Sequence, residues 1–165
     1  MYKFIFLALT AALVSCTAGY DRQDVQVNQT INLNQDWTFV RLESGAQIDI
    51  DNLGEQSMTR VRLPHTPKIE PLLVNEQWQG VSWYQKQLPG LESWQGKKLE
   101  LRFEAAMNHA QVWLNGEKLG EHLGGYLPFT FDVSEKLKPG QGNLLQVKLV
   151  NVDNATIGPK PLETL

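Results

Sequence analysis

The sequence predicts an all-β protein, built as an antiparallel β-sandwich of two layers. Three observations in the 165-residue chain carry that expectation. Beyond Asn32, apolar and polar residues alternate with a period of two in segment after segment, the pattern of strands with one face in a core and one in solvent. The segments are divided by turn dipeptides: Pro89-Gly90, Asn115-Gly116 and Pro139-Gly140. No amphipathic stripe of helical period runs for an ordinary helix length. Many short strands punctuated by Gly and Pro turns fold as a sandwich.

In chain order, the first strand candidates are "WTFVRLE" from Trp37, "TRVRL" from Thr59 and "VSWYQKQL" from Val81. Four clearer strands follow. In "KKLELRFE", Leu99, Leu101 and Phe103 share a face opposite Lys98, Glu100 and Arg102. Ala110, Val112 and Leu114 align in "AQVWLNG", and Asn115-Gly116 then predicts a hairpin because both residues tolerate positive φ. Phe129, Phe131 and Val133 align in "LPFTFDV", with Pro128 at the strand entrance, where no ladder donor is needed. "DVSEKLKPG" has room for one helical turn before Pro139. Leu145, Val147 and Leu149 align in "LLQVKLV". The pair Gly124-Gly125 predicts a tight crossing at φ values that other residues avoid, feeding Tyr126, Phe129 and Phe131 into the next strand.

The first residues read as an address. Lys3 precedes an apolar run from Phe4 to Val14, too short to span a bilayer and of signal-peptide length. It ends in Leu13-Val14-Ser15-Cys16, which resembles a bacterial lipoprotein cleavage box, so Cys16 is the expected lipidation site. Thr17 follows where an inner-membrane protein of that class carries Asp, and the expected location is the outer membrane. Residues 1–15 are thus expected to be a leader, 16–31 a polar tether, and 32–165 the folded domain.

Composition removes several function classes. The net charge is −3 at pH 7, and −4 once Lys3 leaves with the leader, with no basic block, so nucleic acid is not an expected partner. Cys16 is the only cysteine and admits no internal disulfide. His65, His109 and His122 stand apart, without metal-ligand spacing. No glycine pattern joins a strand to a helix around a phosphate. Neither a metal nor a cofactor is expected.

The order of five segments carries a resemblance: "LPHT", "GVSWYQKQL", "GKKLELRFEAA", "AQVWLNGEKLGEHLGGYLPFTFDV" and "NLLQVKLVNVDN". From Trp37 to Leu165 the chain resembles the N-terminal sugar-binding domain of glycoside hydrolase family 2, which holds β-galactosidases, β-glucuronidases and β-mannosidases. The resemblance implies a jelly-roll β-sandwich of galactose-binding-domain-like type. It also implies a non-catalytic role, since the family's two catalytic glutamates lie in a (β/α)8 barrel that follows this domain and an immunoglobulin-like one. The implied partners are those domains and a β-linked oligosaccharide, most nearly a β-galactoside. Next to family members, the chain is expected to stop inside the domain, before its last strand.

Site residues follow as expectations. The resemblance places Asp153 where a family aspartate reaches the galactosyl group; capping a turn together with Asn154 is the equal alternative. Trp78 and Trp94, in loop-like contexts, are candidate exposed platforms for sugar. Tyr126 either stacks on sugar or anchors its loop through the hydroxyl. Trp83, Tyr84, Phe129 and Phe131 are expected in the core, and Trp113, opposite Val112 and Leu114, against a neighbouring domain or partner. Two alternatives stay open: a free-standing carbohydrate-binding lipoprotein using Trp78 or Trp94, and an interaction lipoprotein using Trp113.

Overall fold

The computed structural model describes residues 28–43, 46, 48–69 and 78–152. Cys16, Asp153 and Asn154, with the leader and most of the tether, lie outside the described residues. The described residues form eight strands: β1 (Trp37–Arg41), β2 (Thr59–Val61), β3 (Gly80–Leu88), β4 (Glu100–Phe103), β5 (His109–Leu114), β6 (Glu117–Leu123), β7 (Phe129–Asp132) and β8 (Asn143–Asn151). They make two sheets. The larger runs β2-β1-β3-β8-β5-β6, and the smaller is the pair β4-β7. Every pairing is antiparallel.

The alternation read from sequence decides which face each residue takes. One cross-strand row of the large sheet is Phe39, Tyr84, Val147 and Val112, all facing the small sheet. Trp37, Leu101, Leu114, Val133 and Leu145 complete this core. Between the sheets, His122, Phe129 and Phe103 form a continuous stack, with ring centroids 4.2 and 4.8 Å apart, and Phe131 stands edge-on to Phe129 at 5.8 Å. Edge-on and offset arrangements suit the ring quadrupoles.

Asn115 and Gly116 both take positive φ, 54° and 83°, and turn β5 into β6 as expected. Asn115 does more than turn the chain. Its Nδ2 donates to Asn143 Oδ1 at 2.8 Å, and its Oδ1 accepts from the Leu144 backbone N–H, tying the hairpin to the start of β8. The glycine pair divides its work. Gly124 sits at φ 112°, while Gly125 is buried where a Cβ would lie 3.2 Å from the Met107 side chain. A positive φ is needed at the first and a close approach at the second. The turn expected before Pro139 forms, with Leu137 N–H donating to Val133 O.

The outer face of the large sheet carries an addition to the expected two-layer sandwich. Trp83 and Tyr84 are adjacent in one strand, so they point to opposite faces, yet both are buried, at 1% and 4% exposure. Tyr84 enters the main core. Trp83 is covered by a second cluster built from the segment after β1: Leu42, Leu53, Ile48 and Ile50, with a 3₁₀ helix over Ile50–Glu55. Trp113 belongs to this cluster. Its ring lies 5.2 Å from that of Trp83 and packs in part within its own chain, while the expected contact with a neighbouring domain or a partner would use the part of the ring left exposed. A β-bulge between Val112 and Trp113 shifts the register beside it.

His65 closes one margin of the core. Its ring meets Phe39 at 4.6 Å, and its Nδ1 lies 3.0 Å from the Tyr84 hydroxyl. Burial lowers the His65 pKa and pushes the Tyr84 hydroxyl well above its ordinary value. The neutral imidazole can accept from the hydroxyl. Since the folded pKa lies below the unfolded one, the unfolded chain binds more protons in the window between them. Stability is therefore full above the ordinary histidine value of about 6.5 and is lost as pH falls towards the lowered one. Between pH 7 and 5.5, the fall in melting temperature should be shallower in His65→Gln than in the parent; equal slopes would remove His65 as a source.

Candidate functional site at the end where β8 leaves the sandwich

The register gathers one end of the large sheet from distant sequence. The start of β3, the start of β5, the end of β6 and the end of β8 meet there: Gly80 pairs with Asn151, and His109 with both Val150 and Leu123. The loops at this end are 104–108, 124–128 and 78–79, and Asp153 and Asn154 follow β8 in the sequence.

A chain of amides holds the end together. Asn108, 4% exposed, donates through Nδ2 to Asn151 Oδ1 at 3.4 Å. Asn151 Nδ2 donates to Trp78 O at 3.1 Å. The Asn108 backbone N–H donates to Val150 O and its carbonyl accepts from Gly124 N–H. Asn108 Oδ1 is buried without a donor among the described residues, an open acceptor at this end.

Trp78 is half-buried rather than a free platform. Its indole lies over Gly80, where an added Cβ would come within 2.7 Å of Cζ2, and the Arg41 guanidinium sits 5.6 Å from the ring centroid. Cation and ring attract through the ring quadrupole. Arg41 is further held by donating Nη1 to Pro67 O at 3.3 Å. The end therefore presents an indole, a guanidinium and amide groups, which suits the apolar face and hydroxyls of a sugar ring.

Tyr126 lies at this same end, in the loop after β6, and is 68% exposed. Trp94 is elsewhere. It sits in a 3₁₀ helix, Glu92–Trp94, beyond the far end of the nine-residue strand β3, and it too is half-buried. A strand of that length spans about 30 Å, so Trp78 and Trp94 do not share a site. Arg41, Asn108 and Asn151 were not singled out in the sequence. Arg41 lies inside "WTFVRLE" and Asn151 inside "NLLQVKLVNVDN", while Asn108 falls between two quoted segments.

Apolar surface rims the same end: Met107, Leu123, Tyr126, Leu127 and Val152 are all exposed. Among the described residues no group of His, Cys, Asp and Glu is arranged to hold a metal, and no helix is long and apolar enough to cross a membrane.

Comparison with known proteins places this geometry. Residues 19–158 match the family described as "Glycosyl hydrolases family 2, sugar binding domain". A β-galactosidase of Thermoanaerobacter pseudethanolicus is 36% identical over 135 residues, which cover 79% of this chain and 18% of that protein. A β-glucuronidase of Bacteroides fragilis is 34% identical over 158 residues, covering 94% of this chain and 20% of that protein. Among solved structures, Bacteroides uniformis β-glucuronidase superposes with a TM-score of 0.66 at 30% identity, covering 79% of this chain and 15% of that one. The chain thus spans about a fifth of the length of the curated relatives it matches.

Proposed function

Because this chain belongs to the sugar-binding-domain family of the family 2 glycosyl hydrolases, we propose that it is the non-catalytic N-terminal domain of a β-glycosidase that degrades carbohydrate. The observation that supports this most is the coincidence of one matched segment with one sandwich, in relatives about five times as long. The catalytic glutamates belong to the barrel of the parent enzyme. This domain buttresses that barrel and completes the substrate pocket.

The end where β8 leaves is the surface that does so. Its apolar rim of Met107, Leu123, Tyr126, Leu127 and Val152 suits burial against a following domain. Asp153 and Asn154 follow it in the sequence and are the residues offered to the sugar. The expected sugar is a β-galactoside, and relatives named for β-glucuronides make the glucuronide the second substrate to assay. The chain is carried to the outer membrane by its leader and anchored there through a lipidated Cys16.

Purified chain should leave aryl β-galactosides and aryl β-glucuronides hydrolysed at the rate of the blank. Turnover above the blank that survives repurification would overturn the non-catalytic assignment.

A further inference from the structure

A second surface, away from the strand-exit end, carries chemistry that the buttressing role leaves unused. On the outer face of the large sheet, a cleft of about 270 Å³ opens between the Asp49–Asp51 segment and the strands β3, β5 and β8. Trp83 and Trp113 line it, with Asp49, Asp51, Gln111 and Lys148 around them. The two carboxylates are exposed, Gln111 and Lys148 half-buried.

We propose that this cleft binds a single neutral pyranose ring, as a carbohydrate subsite separate from the one at the strand-exit end. Four features of the cleft point to that ligand. The tilted Trp83–Trp113 pair gives an apolar wall, and the half-buried Trp113 ring is the part a sugar's C–H face can cover. The Trp83 indole N–H has no acceptor among the described residues and lies beneath the surface of the cleft, so a hydroxyl oxygen reaches it only where the covering Asp49–Asp51 segment gives way. Polar groups of both kinds surround the wall: carboxylate acceptors on Asp49 and Asp51, and the ammonium of Lys148, held 5.8 Å over the Trp83 ring. Gln111 donates Nε2 to Glu121 at 3.1 Å, which fixes the amide and leaves its Oε1 to accept.

The charge balance selects among sugars. Two carboxylates face one ammonium in the cleft, and behind Gln111 stands Glu121, whose carboxyl is held down to about 2 by hydrogen bonds from Lys118 and Gln111 and stays ionised. An acidic sugar would add a further negative charge to the two cleft carboxylates, Glu121 being paired with Lys118. A neutral ring brings none. The subsite stands on residues outside the strand-exit end, so it does not require the enzymatic role of the parent protein.

The test is a titration of the ¹⁵N-labelled chain, following the indole N–H signals of its five tryptophans. The probes are methyl β-D-galactopyranoside and sodium D-glucuronate at equal ionic strength. Expected are saturable shifts of the Trp83 and Trp113 signals with the neutral sugar and an unmoved Trp94. Glucuronate should bind several-fold more weakly. Asp51→Asn, on the exposed rim, should weaken the neutral sugar by about tenfold with the melting temperature unchanged, the scale of losing one charge-assisted hydrogen bond. Trp113→Ala should abolish the shift at Trp83. No saturable shift at either tryptophan overturns the subsite, as does binding unaltered in both variants. Tighter binding of glucuronate overturns the choice of a neutral ring.

Discussion

Trp83→Ala should lower the free energy of unfolding by about 3–5 kcal/mol, the range for truncating a fully buried aromatic and leaving a cavity. The size follows from position. Trp83 is 1% exposed and forms the floor of the outer cluster, against Leu42, Leu53 and Trp113, with the Lys148 ammonium over its ring. Among its described residues the segment that covers it, from Leu42 to Glu55, holds no strand, so no ladder can slide it into the gap. Its place on the sheet depends on the apolar contacts that Trp83 provides. Trp113→Ala should cost less, because that ring is only half-buried and its loss opens a surface groove rather than a void. Urea melts of the two variants decide the matter. A cost for Trp83→Ala below about 1 kcal/mol would mean that the outer cluster contributes little to the fold.

Asn143→Ala should cost about 3 kcal/mol or more, although it removes only one short side chain. Asn143 is fully buried at the start of β8, and all of its polar capacity is used. Oδ1 accepts from Asn115 Nδ2 and from the Lys138 backbone N–H, both at 2.8 Å. Nδ2 donates to the carbonyls of Lys138 and Gln141, both at 3.1 Å. Alanine leaves these partners buried and unpaired, at about 1–3 kcal/mol for each one that water cannot reach. Asn143→Asp is the informative companion. It keeps the accepting oxygen but cannot donate to the two carbonyls, and it buries a charge beside them. It should be no better than alanine. If Asn143→Ala melts within a few degrees of the parent, the loop 138–142 finds its hydrogen bonds elsewhere.

Much of the fold was legible because strands declare themselves locally. Leu99, Leu101 and Phe103, or Ala110, Val112 and Leu114, show their common face by spacing alone, and Asn115-Gly116 announces its hairpin. The outer cluster was not legible in that way. Leu42, Ile48, Ile50 and Leu53 follow no period, since an irregular segment covering a sheet needs none. The signal for it was the adjacent pair Trp83-Tyr84. In a strand, two neighbouring large aromatics cannot both enter one core, so their joint burial requires a layer on each side. Without that layer, the place of Trp113 opposite Val112 and Leu114 points only outward, to a neighbouring domain or a partner.

The candidate site was legible by kind and not by assembly. Trp78 and Tyr126 come to the same end of the sandwich, while Trp94 goes to the other. Asn108 and Asn151 meet across 43 residues of chain, through a register that no local pattern reports. Arg41 lies at the end of β1, where it reads as an ordinary exposed charge until Trp78 is seen beneath it.

The most direct test of the domain assignment is the intact mass of the native protein in its source cells, detected in the membrane fraction with an antibody to residues 17–165. Expected is one membrane-bound species several times the 18.7 kDa of this chain, in keeping with relatives of which it spans about a fifth. A native species near the mass of the chain itself would contradict the assignment to a larger glycosidase.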